Sequence, residues 1–265
     1  MAAIFDGRRW AKTEEQILMQ KVSELKESFG VIPRLAVILI GSDPASKLYV
    51  GLKEKAAKRI GCRFDLVYYE DISSEALISK INSLNADPKI HGIVLQLPIP
   101  KELLDSKHLL LNTIAPEKDI DGLTRDSPYT PATVKAIFEI IEIIDPAQGA
   151  LFVVVGDRGM VGKPLVKSLE NQGLIVEGCN SSTSDLKNKT LKADILITAT
   201  GTNGLIRGDM VKKGAFVIDV GSPKGDVEIE SVAPKAKFLT PVPGGVGPVT
   251  ITKLLESLLT AASIG

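Results

Sequence analysis

The sequence predicts an α/β fold with mainly parallel strands, and three observations carry that prediction. Short β-branched runs alternate with stretches of helical spacing along most of the 265 residues. The runs are nearly continuous in apolar character, as expected of strands covered on both faces. Segment 98–131 interrupts the alternation with five prolines and few strand signals, so a domain change is expected near residue 120.

Leu35 to Ile40 is the first strong strand, and apolar spacing over 45–60 predicts the helix after it. Ser42 or Asp43 can cap that helix, with Pro44 tolerated in its first turn. A strand over 64–68, a helix over 73–86 and a strand from Ile90 to Gln96 follow. Pro98 and Pro100 stop pairing after the last of these. Thr130-Pro131 starts a helix over 132–144, and Asp145-Pro146 stops it. Strands are then expected at 151–155, 174–176, 194–197 and 215–220, with a helix over 161–172. A last helix, from about 248, follows Pro-Val-Pro-Gly-Gly and returns to the first domain. The expected division is 1–120, completed by 248–265, and 121–247. Crossovers between parallel strands should be right-handed.

Composition narrows the function class. Hydrophobic residues make up 44% and charged residues 24%, which excludes wholesale disorder. The 32 Lys and Arg balance 32 Asp and Glu, so no global field attracts nucleic acid or a membrane surface. Apolar runs are far shorter than a membrane span, and the start MAAIFDGRRW lacks the apolar core of a signal peptide. Two cysteines, Cys62 and Cys179, cannot build a disulfide framework and fit a reducing, cytoplasmic setting. Two histidines leave little for a His-based metal site, and none is expected.

Val155-Gly156-Asp157-Arg158-Gly159-Met160-Val161-Gly162-Lys163-Pro164 joins a buried strand to a helix through a glycine-rich turn. Glycines there let backbone approach a pyrophosphate, and the helix N-terminus offers its N–H groups. The spacing is GxxGxxG rather than GxGxxG. It is not a Walker A loop either, because Asp157 and Pro164 occupy positions that need Gly and Ser or Thr. A tight turn that binds nothing is the bland alternative. Two later small-residue strand ends, Thr200-Gly201 and Gly221-Ser222, favour a dinucleotide site.

Ser46, Tyr49 and Lys53 fall at i, i+3 and i+7 on one face of the helix after the first strand. A partly buried lysine beside a tyrosine hydroxyl can move protons. On spacing alone, a lysine lying along an apolar surface with its ammonium in water is the better reading. Gln96, at the end of a buried strand, must find a partner in the structure or in a ligand. Asp119 and Asp121 lie in a loop where isolated acids more often form turns.

Taken together, these segments resemble the methylenetetrahydrofolate dehydrogenase/methenyltetrahydrofolate cyclohydrolase family. The matches run in order: Ser46-x-x-Tyr49-Val50-x-x-Lys53, Gly92-Ile93-Val94-Leu95-Gln96-Leu97-Pro98, and Lys118-Asp119-Ile120-Asp121-Gly122. Pro128-x-Thr130-Pro131, Val161-Gly162-x-Pro164, Ala199-Thr200-Gly201 and Asp219-Val220-Gly221 continue them. Pro241-Val242-Pro243-Gly244-Gly245-Val246-Gly247-Pro248-x-Thr250, the most specific, closes the series.

The resemblance implies two α/β domains around a cleft, the second a Rossmann-like dinucleotide-binding domain, and usually a homodimer. It implies oxidation of 5,10-methylenetetrahydrofolate by hydride transfer to NADP. Hydrolysis of the methenyl cation to 10-formyltetrahydrofolate follows. By motif position Lys53 is the catalytic lysine, with Tyr49, Gln96 and Asp121 beside it. Tetrahydrofolate derivatives are expected to meet Tyr49, Lys53, Gln96, Leu97, Pro98, Asp121, Pro243, Gly244, Gly245 and Thr250. The coenzyme is expected at Gly156, Asp157, Arg158, Val161, Gly162, Lys163, Pro164, Ser181, Thr200, Gly201 and Ser222. Two other readings stand beside this one: a dehydrogenase without cyclohydrolase activity, and a nucleotide-binding regulatory protein that has lost turnover.

The chain departs from the family pattern around the coenzyme. The family loop is Gly-Arg-Ser-x-x-Val-Gly-x-Pro, whereas Asp157 and Arg158 stand at its Arg and Ser positions. Asn180-Ser181-Ser182-Thr183 replaces His-Ser-(Arg/Lys)-Thr. NADP is still expected, with Arg158 and Ser181 meeting its 2′-phosphate. NAD is the alternative, with Glu177 or Asp157 on the ribose. Tyr129, where the family has Cys, is expected to be silent in the chemistry.

Overall fold

Every strand pairing is parallel in the computed structural model, which describes residues 2–264. In chain order the elements are β1 (Ala3–Ile4), α1 (Gly7–Phe29), β2 (Arg34–Ile40), α2 (Pro44–Arg59), β3 (Arg63–Tyr69), α3 (Ser74–Ala86) and β4 (Gly92–Leu95). Next come α4 (Lys107–Thr113), α5 (Ala132–Ile144), β5 (Leu151–Val155), α6 (Gly162–Asn171), β6 (Ile175–Cys179), α7 (Leu186–Thr190) and β7 (Ile195–Thr198). β8 (Phe216–Asp219), α8 (Ile229–Val232), β9 (Phe238–Leu239) and α9 (Val246–Ile264) complete the chain. The seven expected strands are all present.

The chain divides into two units. The first holds Lys12–Ala132 and Ile251–Gly265, and the second holds Met1–Ala11 and Thr133–Thr250. This differs from the expected division at residue 120. Segment 121–132 stays with the first unit because Asp119 holds it: Thr124 N–H donates to Asp119 Oδ2 at 2.7 Å and Ser127 Oγ to Asp119 O at 3.1 Å. Residues up to Ala11 go with the second unit because β1 pairs with β9, Ala3 opposite Phe238 and Ile4 opposite Leu239.

In the first unit β2 lies between β3 and β4. Side chains alternate across a strand, so β2 supplies two cores. Leu35, Val37 and Leu39 pack with Leu18 and Val22 of α1 and with Leu254, Leu255 and Leu258 of α9. Ala36, Ile38 and Ile40 pack with Leu77 and Ile81 of α3 and Leu110 of α4. Burial on both faces explains the unbroken apolar run at 35–40. Helix α1, for which the sequence reading had no expectation, follows the same logic: Leu18, Val22 and Leu25 face the core at helical spacing while Met19 stays exposed.

The second unit has six strands in the order β1-β9-β8-β7-β5-β6. Phe152 and Val154 of β5 face one core and Val153 and Val155 the other. The chain runs from β5 outward to β6, then returns to β7 on the other side of β5. That reversal opens a crevice at the carboxyl ends of β5 and β7, the usual place for a ligand in such a sheet. In the first unit the reversal falls at β2, next to the ends of β3 and β4.

Gly92 tests the fit of α9 against the first sheet. A Cβ there stands 2.8 Å from Ile120 Cδ1 and 2.9 Å from Leu258 Cδ1, both on fully buried side chains. Gly92→Ala should lower stability by about 1–3 kcal/mol through overpacking, read from urea unfolding. An unchanged midpoint would contradict this packing.

Candidate active site

The first unit's candidate residues gather at the carboxyl ends of β2 and β4. Asp43 starts α2 by accepting the Ser46 N–H at 2.7 Å, with Pro44 in the first turn. That start sets the helix phase so that Ser46 and Lys53 face inward, at 2% and 9% exposure. Tyr49, one turn before Lys53, is partly buried. The Ser46 hydroxyl oxygen is buried without a hydrogen-bond partner in the chain.

Gln96 extends the β4 ladder, its N–H donating to Ile38 O at 2.9 Å. Its side chain is 9% exposed and makes two contacts. Lys53 Nζ donates to Gln96 Oε1 at 2.9 Å, and Gln96 Nε2 donates to Leu97 O at 2.7 Å. The second contact orients the amide so that its oxygen faces the lysine. The Leu97–Pro98 peptide that follows is cis. The water-seeking arrangement favoured by spacing alone is therefore not what Lys53 adopts: its ammonium is inside.

Lys118-Asp119-Ile120-Asp121-Gly122 divides its work residue by residue. Lys118 Nζ donates to Asn85 O at 2.7 Å and Asp87 O at 2.8 Å, tying the loop to the end of α3. Asp119 is 1% exposed and holds the loop that follows, while Ile120 fills the core. At Gly122 φ is +72°, and a Cβ would lie 2.7 Å from Tyr129 O and Pro131 N. These neighbours fix Asp121. Tyr129 donates through its hydroxyl to Glu117 O at 3.4 Å.

Burial shifts the two ionisable groups in opposite directions. Desolvation pushes the Lys53 ammonium below the usual lysine range, and the Asp121 charge partly restores it. Desolvation pushes Asp121 above the usual carboxylate range, Lys53 pulls it back, and Asp119 adds a smaller upward push. A lysine and a carboxylate driven toward their neutral forms can exchange protons with a substrate at modest cost.

In the second unit the turn after β5 has the form of a phosphate cradle. Gly156 takes φ +100°, where a Cβ would meet Ala199 O at 2.5 Å. Gly162 lies so close that a Cβ would fall 2.1 Å from Gly156 O. No side chain caps the start of α6 at Val161, which leaves that end to a ligand. Lys163, Arg158 and Ser181 are exposed, and Pro164 lies in the first turn of α6. Across the crevice, Thr200 N–H donates to Asp226 Oδ2 at 2.6 Å, ahead of Gly201. Ser222 is exposed after β8. These features fit a dinucleotide.

One sequence expectation changes: Glu177, at a plausible distance for a ribose-binding acid, is paired instead with Lys189 of α7. The backbone of Gly244 and Gly245 packs closely on α1, where a Cβ on Gly7 would lie 1.9 Å from Gly245 O. Thr250 is partly buried on α9, its hydroxyl donating to Val246 O at 3.2 Å. Sequence reasoning quoted Asp219 only as part of a motif, without a role, and missed Asp226 altogether. Asp219 accepts from Gly221, Asp226 and Val227 N–H groups at 2.8, 3.1 and 3.0 Å, and so shapes the turn that carries Ser222. Their only sequence signal was a pair of acids flanking a glycine-containing turn.

Residues 5–121 match the tetrahydrofolate dehydrogenase/cyclohydrolase catalytic domain, and residues 128–264 match the family's NAD(P)-binding domain. The chain belongs to the tetrahydrofolate dehydrogenase/cyclohydrolase family. It is 42% identical over 276 residues to the bifunctional protein FolD of Methanosarcina barkeri, covering 98% of this chain and 96% of that protein. It is 41% identical to the protein of the same name in Bacillus subtilis, covering 98% of each. Among solved structures, the bifunctional FolD enzyme of Campylobacter jejuni matches with TM-score 0.92 at 36% identity, over 100% of this chain and 99% of that one. The Trypanosoma brucei dehydrogenase-cyclohydrolase, complexed with NADP cofactor and an inhibitor, matches with TM-score 0.93 at 34% identity, over 99% and 98%.

The resemblance read from the motifs thus stands, and with it the enzyme class and the Rossmann-like NAD(P)-binding domain. Among the described residues, no helix is long and apolar enough to cross a membrane. No group of three or more His, Cys, Asp or Glu among them could hold a metal ion.

The cradle makes a direct prediction. Gly162→Ala must push the turn at Gly156 off the α6 terminus. It should weaken nicotinamide coenzyme binding at least about tenfold and lower stability by about 1–3 kcal/mol. Coenzyme fluorescence titration and thermal unfolding read the two effects. Normal coenzyme affinity would show that the turn is not the cradle.

Proposed function

We propose that this chain oxidises 5,10-methylenetetrahydrofolate with NADP and hydrolyses the resulting 5,10-methenyltetrahydrofolate to 10-formyltetrahydrofolate. The observation that carries the reading is the buried Lys53–Gln96 contact in the family's catalytic domain. NADP held at the turn from Gly156 to Pro164 would supply the hydride acceptor, and loss of hydride would give the folate a cationic amidinium. The NADP complex of the Trypanosoma brucei relative supports that coenzyme.

The chain's own residues then serve the ring opening. Gln96 Oε1 holds Lys53 Nζ in one place, and burial keeps that amine ready to take a proton. Water adds to the amidinium carbon and gives up a proton to Lys53. The carbon–nitrogen bond to the ring nitrogen breaks, that nitrogen receives the proton, and the formyl group stays on the other nitrogen. A lysine lowered toward neutrality also avoids placing a full charge beside a cationic substrate. Asp121 suits the donor edge of the pterin, where a carboxylate accepts paired N–H bonds. Tyr49, Leu97 and Pro98 are proposed to line the same folate site. Pro243, Gly244, Gly245 and Thr250 are proposed as further contacts by motif position.

The dinucleotide is proposed to lie on Gly156, Asp157, Arg158, Val161, Gly162, Lys163 and Pro164, with Ser181, Thr200, Gly201 and Ser222 around it. A homodimer is supported by exposed Leu48 and Leu52 of α2 and Leu66 and Tyr68 of the edge strand β3. A cytoplasmic setting suits Cys62 and Cys179, both buried and unbridged.

Two substitutions test the assignment. Lys53→Met should keep coenzyme binding but remove cyclohydrolase activity, with a milder loss of dehydrogenase, because hydride transfer itself needs no proton. Methenyltetrahydrofolate absorbance, forming with coenzyme and decaying without it, reads both. Hydrolysis near the wild-type rate in the folded variant would remove Lys53 from the mechanism.

Asp121→Ala should weaken folate in both reactions together, by about 1.5–3 kcal/mol or roughly ten- to hundredfold. Coenzyme affinity without folate should hardly change. A variant that lost coenzyme and kept folate would place Asp121 in the wrong site.

A further inference from the structure

The glycine turn after β5 leans onto β6. Gly156 N–H and Asp157 N–H both donate to Cys179 O, at 2.7 and 3.1 Å. The Asp157 carboxylate therefore reaches the carboxyl end of β6, where its Oδ1 accepts from Asn180 Nδ2 at 3.0 Å. Its Oδ2 lies 2.5 Å from where a Cβ on Gly178 would stand, so only glycine at 178 admits the carboxylate. Asn180 is oriented from its other end: its Oδ1 accepts from Ser182 N–H at 3.0 Å and Ser182 Oγ at 2.6 Å. The donor end of the amide is thereby turned to Asp157.

In a mononucleotide-binding unit, the acid that reads the adenosine ribose sits at the carboxyl end of the second strand. That strand is β6 here, and it ends in Cys179 and Asn180, neither of them acidic. Glu177 is engaged by Lys189 and lies on the opposite face of β6 from position 178. Asp157 brings a carboxylate to the ribose position from the glycine turn instead.

We propose that Asp157, braced by Asn180 and admitted by Gly178, reads the adenosine ribose, so that this enzyme uses NAD alongside NADP. The carboxylate accepts the ribose hydroxyl protons of NAD. A 2′-phosphate dianion offers no such donor and is repelled. Arg158, exposed and next in the chain, pulls the other way by offering a forked, charge-assisted contact to that phosphate. The balance of these two neighbours sets the coenzyme ratio. The inference rests on the coenzyme role proposed above.

The test compares kcat/KM for NAD and NADP, and binding of NADH and NADPH without folate, on the full chain. Wild type should use the two coenzymes within about tenfold of each other. Asp157→Asn has the same shape and removes the charge. It should raise the KM for NAD about tenfold and lower that for NADP, most clearly at low salt. Asn180→Ala, which removes only the brace, should move the ratio the same way by a smaller factor. Arg158→Ala should move it toward NAD, raising the KM for NADP about ten- to hundredfold.

An unchanged ratio in folded Asp157→Asn and Asn180→Ala would overturn the proposal. So would wild-type NAD use a thousandfold below NADP use. Reduced coenzymes binding in the expected ratios without any folate turnover would instead remove the proposed reaction and leave the ribose assignment standing.

Discussion

Withdrawing an ammonium from water costs several kcal/mol unless it is neutralised or held by good partners. Lys53 meets that constraint with a single amide oxygen within hydrogen-bond reach and the more general pull of Asp121. Much of the first unit can be understood as keeping those partners in place. The Asp43 cap fixes the rotation of α2, the end of β4 presents Gln96 as the next residue, and Leu97 O turns its amide. Lys118 and Asp119 spend their polar groups on backbone, which leaves Asp121 at a fixed point in the loop. An exposed lysine would stay cationic and strongly hydrated. A lysine buried with a full partner carboxylate in contact would be a fixed ion pair. The arrangement seen lies between the two, as proton exchange requires.

The second unit solves a different problem by similar means. Its requirement is close approach of backbone to an anion, so glycines and an uncapped helix end do the work. Charge is then adjusted around them. Asp157 and Arg158 place opposite charges side by side in the turn, and Asp219 gathers backbone donors to shape the next loop. Both units use the carboxyl edge of a parallel sheet where strand order reverses. Side chains there are held by the sheet and still reach a ligand.

The strands were legible because burial on both faces leaves an unbroken apolar run, as at 35–40 and 151–155. β1 and β9 were not, being two residues each and defined by pairing across most of the chain. Helix α1 is capped by Asp6, which accepts the Arg9 N–H at 2.9 Å, but a lone Asp before Gly-Arg-Arg was not read as a helix start. The domain limit moved because Asp119 holds the following loop by hydrogen bonds that composition cannot show. At the candidate site, Lys53, Gln96 and Asp121 were singled out by motif. Spacing alone pointed Lys53 outward, and only packing decides between a snorkelling and a buried lysine. Glu177 shows the converse: counting residues gave a plausible distance, but strand alternation and Lys189 took the side chain elsewhere.

The most direct measurement of the central claim is an NMR titration of the Lys53 side chain, using labelled lysine and Lys53→Met for assignment. The burial account predicts a midpoint below the usual lysine range. It also predicts a further fall in Asp121→Asn, since the Asp121 charge is what raises it. A midpoint at or above the usual range, or one indifferent to Asp121, would contradict the account.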